Sequence, residues 1–290
     1  MPKSDNHLRW FGEELRIWRQ QAEMSQEQLA ARIGYSSSQV GHVETARRAP
    51  DSTFVDHCDR VLQTGGALTR LWERTRAAAY PAWFRSWFEI EQEAYRLRSW
   101  QPLVVPGLLQ TYEYAHALFS VESDKSAEEV ERLTQARLER QDILSGGDAP
   151  IFTALIDEAA LLRPVGSAAV MAGQLAALVE AAVRPRLTIQ LIPFDTGAHA
   201  GLPGPFALAT RRGDNGRDSV YSEGPFGGTV TDRDEDVAAA NVRFDAIRAV
   251  ALPAKASVDL LREMEKAWTQ MARSGASPGA AVPRAGIASR

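Results

Sequence analysis

Between residues 8 and 24 the apolar positions Leu8, Phe11, Leu15, Trp18 and Ala22 recur at three- and four-residue steps, with Arg16, Arg19 and Gln20 between them. That spacing predicts an amphipathic helix. Ser25 followed by Gln28 has the form of a capping box, and Leu29, Ala30 and Ile33 make a short apolar stripe that Gly34 closes, giving a second helix of about two turns. Ser36 caps a third helix over 36–45, with Val40 and Val43 inward and Ser37, Ser38, Gln39 and His42 outward. Pro50 and Asp51 open a fourth with Phe54, Val55, Cys58, Val61 and Leu62 inside, ended by Gly65 and Gly66, and a fifth runs over 67–79. Past Pro81 strand-like runs at 151–156, 187–192, 206–210 and 219–222 alternate with helical ones at 111–120, 127–144, 167–183, 234–250 and 257–273.

The expected fold class is therefore an all-α five-helix N-terminal domain over 1–79 followed by a mixed α/β (α+β) domain over 83–273. The Ala-, Gly-, Ser- and Pro-rich stretch 274–290 is expected to be disordered, because it has nothing large to bury. A length of 290 residues also favours two domains over one. With 44% hydrophobic and 24% charged residues the composition is globular, and no apolar run approaches the roughly 20 residues of a membrane span. The polar start carries no signal-peptide core, so a cytoplasmic, nucleoid-associated protein is expected. The lone Cys58 forms no internal disulfide, and the five histidines are scattered, so neither a metal nor a cofactor is expected. Cys58, on an inward helix face, reads as inert core rather than a redox sensor.

Net charge is −4, but residues 1–76 hold 11 Lys and Arg against 10 Asp and Glu, leaving 22 against 27 in the rest. A near-neutral head gains little from counterion release, which argues for two heads acting together in a homodimer. The chemistry of residues 25–50 is that of a helix-turn-helix: two short helices around a Gly-containing turn hold the second clear of the body, where it can enter a major groove of double-stranded operator DNA. Ser37, Ser38, Gln39 and His42 are the candidate base readers, small or bidentate polar groups on one exposed face. Gln26, Ser36, Arg47 and Arg48 are the candidate phosphate contacts, Gln26 at a helix N-terminus and the two arginines just past the reading helix. The alternative is a structural bundle whose polar face happens to hold Ser and Gln.

The ordered whole, S-Q-x-x-L-A-x-x-x-G from Ser25, V-x-x-V-E from Val40 and R-R-x-P from Arg47, resembles the phage-repressor-like, xenobiotic-response-element family of helix-turn-helix regulators. The resemblance covers about 8–62 and implies DNA binding. It also implies that Glu44 pairs with an arginine of the domain rather than reading cytosine. Three positions depart from the usual pattern: Gly41 stands for Ser, His42 for a basic residue, and Ala46 for Gly. The last predicts a different turn at the end of the reading helix.

The phrases VPGLLQTYEYAHAL from Val105, RLERQDIL from Arg137, LIDEAALLRPVG from Leu155, IQLIPFDTGAHAGLPGPFAL from Ile189 and VYSEG from Val220 resemble the C-terminal domain of actinobacterial antitoxin-like transcriptional regulators. That resemblance implies a small neighbour-encoded partner protein; a small molecule in a pocket of the same domain is the competing expectation. Gln110, Asp157, Glu158, His199 and Glu223 are the candidate ligand or partner contacts. Each also has a structural reading: Gln110 satisfies a turn, Asp157 caps a helix whose dipole favours Glu158, and His199 sits in a Gly-rich connection. No catalytic activity is expected. A self-cleaving repressor needs a Ser-Lys dyad, and Lys255 with Ser257, cutting at Ala200-Gly201, is the nearest set in the chain, though both fall at a predicted helix start.

Overall fold

A computed structural model describes residues 5–78, 80–213 and 218–275. The segment 276–290, expected above to be disordered, lies outside the described residues. The chain divides into two units after Arg85.

Unit 1 contains α1 (Asp5–Gln21), α2 (Gln26–Ile33), α3 (Ser37–Glu44), α4 (Ser52–Leu62) and α5 (Ala67–Ala78). Local signals set their ends. Ser25 and Gln28 form the reciprocal capping box of α2, Gly34 ends it in the left-handed conformation, and Ser36 and Asp51 cap α3 and α4 through the amides of Gln39 and Phe54. Gln63, rather than the glycines after it, takes the left-handed position that ends α4. The inward stripes meet in one core that includes Phe11, Leu15, Leu29, Val40, Phe54, Leu68 and Trp72. Val61 is only half-buried at its edge. At Gly12 a β-carbon would sit 2.6 Å from the Val43 carbonyl oxygen and 2.7 Å from that of Glu44, so the absence of a side chain lets α1 cross close beneath the end of α3. Burial pushes the Cys58 thiol up to about 12, with the nearby Asp59 and Glu44 adding to the shift, which keeps it protonated and unreactive.

Helix α6 (Ala82–Gln92), in a stretch to which the sequence reading assigned no element, spans the division. Unit 2 continues with β1 (Ala94–Gln101), α7 (Tyr112–Ser120), α8 (Ala127–Glu139), β2 (Ile151–Asp157), α9 (Glu158–Leu162), α10 (Ala168–Ala181), β3 (Leu187–Ile192), β4 (Phe206–Arg211), β5 (Asp218–Gly224), β6 (Gly227–Thr231), α11 (Asp234–Ala249) and α12 (Ala254–Ser274). The expected helix 127–144 is α8 followed by a 3-10 segment, Arg140–Leu144. Ser274, assigned above to the tail, is the last residue of α12.

The strands form one mixed sheet in the order β3-β2-β1-β4-β5-β6. The first three run parallel through helical crossovers, and β4, β5 and β6 follow as an antiparallel meander. Trp100, Leu155, Ile192, Phe206, Leu208 and Val220 face Phe244 and Ile247 of α11 to make a core on one side of the sheet. The expected all-α head followed by a mixed α/β domain is the fold observed, with β1 and β6 added to the four strands read from sequence.

Candidate nucleic-acid interface

Helix α3 is fixed from three directions. At its start, the Tyr35 ring lies edge-on to Phe54 at 5.0 Å and its hydroxyl donates to Asp51, the residue that caps α4. Along its inner face Val40 and Val43 are buried. At its end the buried Glu44 carboxylate accepts from Arg19 Nε at 2.5 Å and Nη2 at 3.0 Å, and from Gln26 Nε2 at 2.8 Å. Arg19 Nη1 also donates to the Met24 carbonyl at 2.7 Å. One guanidinium thus ties α1, the α1–α2 turn and α3 together with the bidentate geometry arginine favours. The hydrogen bond to Glu44 raises the Arg19 pKa, against the lowering effect of burial, so the guanidinium stays charged. Glu44 is therefore an anchor, as the resemblance implies, and its carboxylate is spoken for.

The end of α3 corrects one expectation. Ala46 does not change the turn: it adopts the left-handed conformation itself, with φ 55°, while its amide bonds the Val43 carbonyl and the Arg47 amide bonds that of His42. These are the two bonds of a Schellman motif. Since a β-carbon costs about 1–2 kcal/mol in this region, and glycine returns part of that through unfolded-state entropy, Ala46→Gly is expected to stabilise unit 1 by about 0.5–1 kcal/mol. A denaturant titration showing equal or lower stability would contradict that accounting.

The exposed surface is an open concavity of about 810 Å³. From α3 it is lined by Ser37, Ser38, Gly41, His42 and Thr45, positions that share one side at helical spacing. Arg19 from α1, Gln26 and Glu27 from α2 and Arg47 beyond α3 also form its wall. Ser37, Ser38, His42, Arg47 and Arg48 are exposed, whereas Gln39 and Gln26 are half-buried. Gln39 and Arg48 stand off this concavity, and Ser36 spends its oxygen lone pair on capping while keeping a proton to donate. Thr45 and Ser25, not among the DNA-contact candidates read from sequence, also line it; Thr45 lies one turn past His42 and was reachable by the same periodicity. The surface offers small donors and acceptors around a side-chain-free Gly41, with Arg47 and the carboxylate of exposed Glu27 at its edge. That arrangement suits close approach of base edges flanked by phosphates.

The candidate residues of unit 2 fall into separate places. Asp157 caps α9 through the Ala159 amide, and its other oxygen meets His199 Nε2 at 3.2 Å. His199 Nδ1 lies 3.1 Å from the Gly201 amide and accepts its proton, so Nε2 carries the ring proton and donates to Asp157. Gly201 in turn accepts from Trp100 Nε1 at 2.8 Å, and a β-carbon there would lie 2.4 Å from the indole ring. Glu158 accepts from the Phe194 amide at 2.8 Å. These three sequence candidates thus lock the 193–205 connection onto the strand ends. Gln110 is buried elsewhere, donating to the Val105 carbonyl and accepting from Arg137, and exposed Glu223 pairs across from Gly228 near the β5–β6 turn. Ser257, buried in α12, accepts from the Leu191 amide and donates to the carbonyls of Leu252 and Pro253, and Ala200-Gly201 lies inside the His199 turn.

Among the described residues no helix is long and apolar enough to cross a membrane, and no cluster of His, Cys, Asp and Glu has the form of a metal site. Residues 10–72 match a family described as a helix-turn-helix domain, which makes the chain a DNA-binding helix-turn-helix regulator. No curated protein and no solved structure matches the chain. Residues 84–263, more than half of the chain, match a second family, and the protein belongs to that family, described as a domain of unknown function (DUF5753).

Proposed function

We propose that the protein is a sequence-specific transcriptional regulator of the xenobiotic-response-element type that binds operator DNA as a homodimer in the nucleoid, its second unit binding a small partner protein that changes operator affinity. The observation that carries the first part is the exposed Ser37, Ser38, His42 and Thr45 face of α3, held rigid by the Arg19, Glu44 and Gln26 network. Ser38 and His42 read bases; Gln39, half-buried on the flank, is the weaker reader. Arg47 and Arg48 hold phosphates. The homodimer follows from the near-neutral charge of the head, and partner control is a coupling free energy between unit 2 and DNA. The action is non-catalytic: the Ser257 hydroxyl is committed to backbone groups, which supports the reading that Lys255 and Ser257 form no dyad.

Operator sites selected from random DNA give the test. Ser38→Ala with His42→Ala is expected to relax sequence preference by about 1–3 kcal/mol per lost base contact. Arg47→Gln with Arg48→Gln is expected to weaken all sequences alike and to flatten the salt dependence by about one log unit per lost phosphate contact. If the Ser38/His42 variant discriminates operator from random DNA as well as the wild type does, the assigned face is wrong. Native co-purification followed by intact mass measurement tests the second part, and a retained small molecule in place of a protein counts against it.

A further inference from the structure

Among the residues lining the α3 concavity, half-buried Gln26 has an amide of fixed orientation. The Glu44 oxygens accept from Arg19 Nε and Nη2, so the group that Gln26 turns to them, 2.8 Å from Oε2, is its amide nitrogen. The amide oxygen then points elsewhere. A β-carbon built at Gly41 would have Gln26 Oε1 as its nearest neighbour at 3.2 Å, with the amide nitrogen farther off at 3.6 Å. Gly41 itself lines the concavity and carries no side chain, so it leaves that oxygen uncovered.

The neighbouring groups are acceptors as well. Thr45 donates its hydroxyl proton to the Gly41 carbonyl at 2.7 Å, which leaves it oxygen lone pairs to offer. Exposed Glu27, next along α2, brings a carboxylate that forms no ion pair among the described residues. Of the lining cations, Arg19 is committed to Glu44 and the Met24 carbonyl, and Arg47 lies past the end of α3. Ser37, Ser38 and His42 supply donors from α3 itself. A phosphate presents only acceptor oxygens and negative charge, so it finds no partner in Gln26 Oε1 and is repelled by Glu27. Among base edges in the major groove, only the exocyclic amines of cytosine and adenine donate. We infer that Gln26 is a specificity-determining residue whose Oε1, oriented by Glu44 and uncovered at Gly41, accepts from the exocyclic amine of a cytosine or adenine in the operator. The inference rests on the DNA-reading face assigned above and replaces the backbone contact expected of Gln26 by a base contact.

The test uses the full chain and operator duplexes selected from random DNA, in which each adenine or cytosine is replaced in turn by purine or 2-pyrimidinone, the same bases without the amine. With the wild type, at least one position is expected to lose about fivefold or more in affinity. Gly41→Ala places a β-carbon over Oε1 and favours the helix. At that position the variant is expected to bind the natural and amine-free duplexes within about twofold of each other, while base preferences elsewhere persist. A Gly41→Ala protein that keeps the wild-type ratio at every position overturns the proposal, since a mere clash lowers both duplexes alike. So does a Gln26→Ala protein that weakens operator and random DNA by one factor, the mark of a backbone contact. Wild-type protein that shows no amine-dependent position overturns it without any variant. Selection of no sequence at all counts against the reading face itself, whereas a selected sequence without amine dependence counts against Gln26 alone.

Discussion

Glu44→Ala is expected to lower the stability of unit 1 by about 3–5 kcal/mol, the range for removing one partner of a buried ion pair. The magnitude comes from what is left behind. Arg19 keeps its charge, as a guanidinium does in proteins, and would lose two of its three hydrogen bonds within the core while Gln26 loses its acceptor. The double variant Arg19→Met with Glu44→Met removes both charges and keeps apolar volume, so its cost should be much smaller and could approach zero. Denaturant unfolding with hydrogen exchange on the peptides of α1–α3 separates the two. If the single and double variants lose stability equally, packing rather than the orphaned guanidinium controls the site. Operator binding should fall in both variants, because even the stable double variant no longer ties the end of α3 to α1 and to Gln26. A stable protein with lost operator affinity would identify the network as a positioning device for the reading helix.

The head was legible from sequence because its signals are local. The capping box at Ser25, the cap at Ser36 and the inward Val40 and Val43 lie within a few residues of the structure they specify. Ala46 was misread for the opposite reason: the residue type argued against a left-handed turn, but the two Schellman bonds and the packing of α3 impose it. In unit 2 the central strand β1 escaped detection because Arg96 and Arg98 interrupt its apolar pattern. Arg98 is accommodated only by distant partners, donating to Asn241 at 2.5 Å and Asp218 at 2.6 Å with its guanidinium 5.7 Å from the Phe244 ring centre. The edge strand β6 holds two glycines and too little apolar surface to register. Asp157 and Glu158 were correctly read as helix-start residues, yet the pairing of Asp157 with His199 crosses 42 positions of chain and no local rule reaches it.

The turn around Pro106 makes the same point, because the decisive residue there is one that sequence reading passed over. Residues 105–111 have few regular backbone partners, and their polar groups are satisfied by side-chain amides from other elements. Gln110 closes the turn on itself through the Val105 carbonyl, and half-buried Gln141 donates to the carbonyls of Gly107 and Gln110. Fully buried Gln174 of α10 does most: its Nε2 donates to the Leu109 carbonyl at 2.7 Å and its Oε1 accepts the Thr111 amide at 2.8 Å. Gln174→Leu keeps approximate volume but strands one buried acceptor and one donor, so a loss of about 2–6 kcal/mol is expected at about 1–3 per group. Gln141→Ala should cost only about 1 kcal/mol, because water can reach the half-exposed site and replace it. Hydrogen exchange resolves the mechanism: in Gln174→Leu the amides of 105–120 should lose protection first, since Thr111 also caps α7 through Tyr114. Equal costs for the two glutamines, or a loss spread evenly over the sheet, would show that the turn is held by apolar contacts of Leu108 and Leu109 instead.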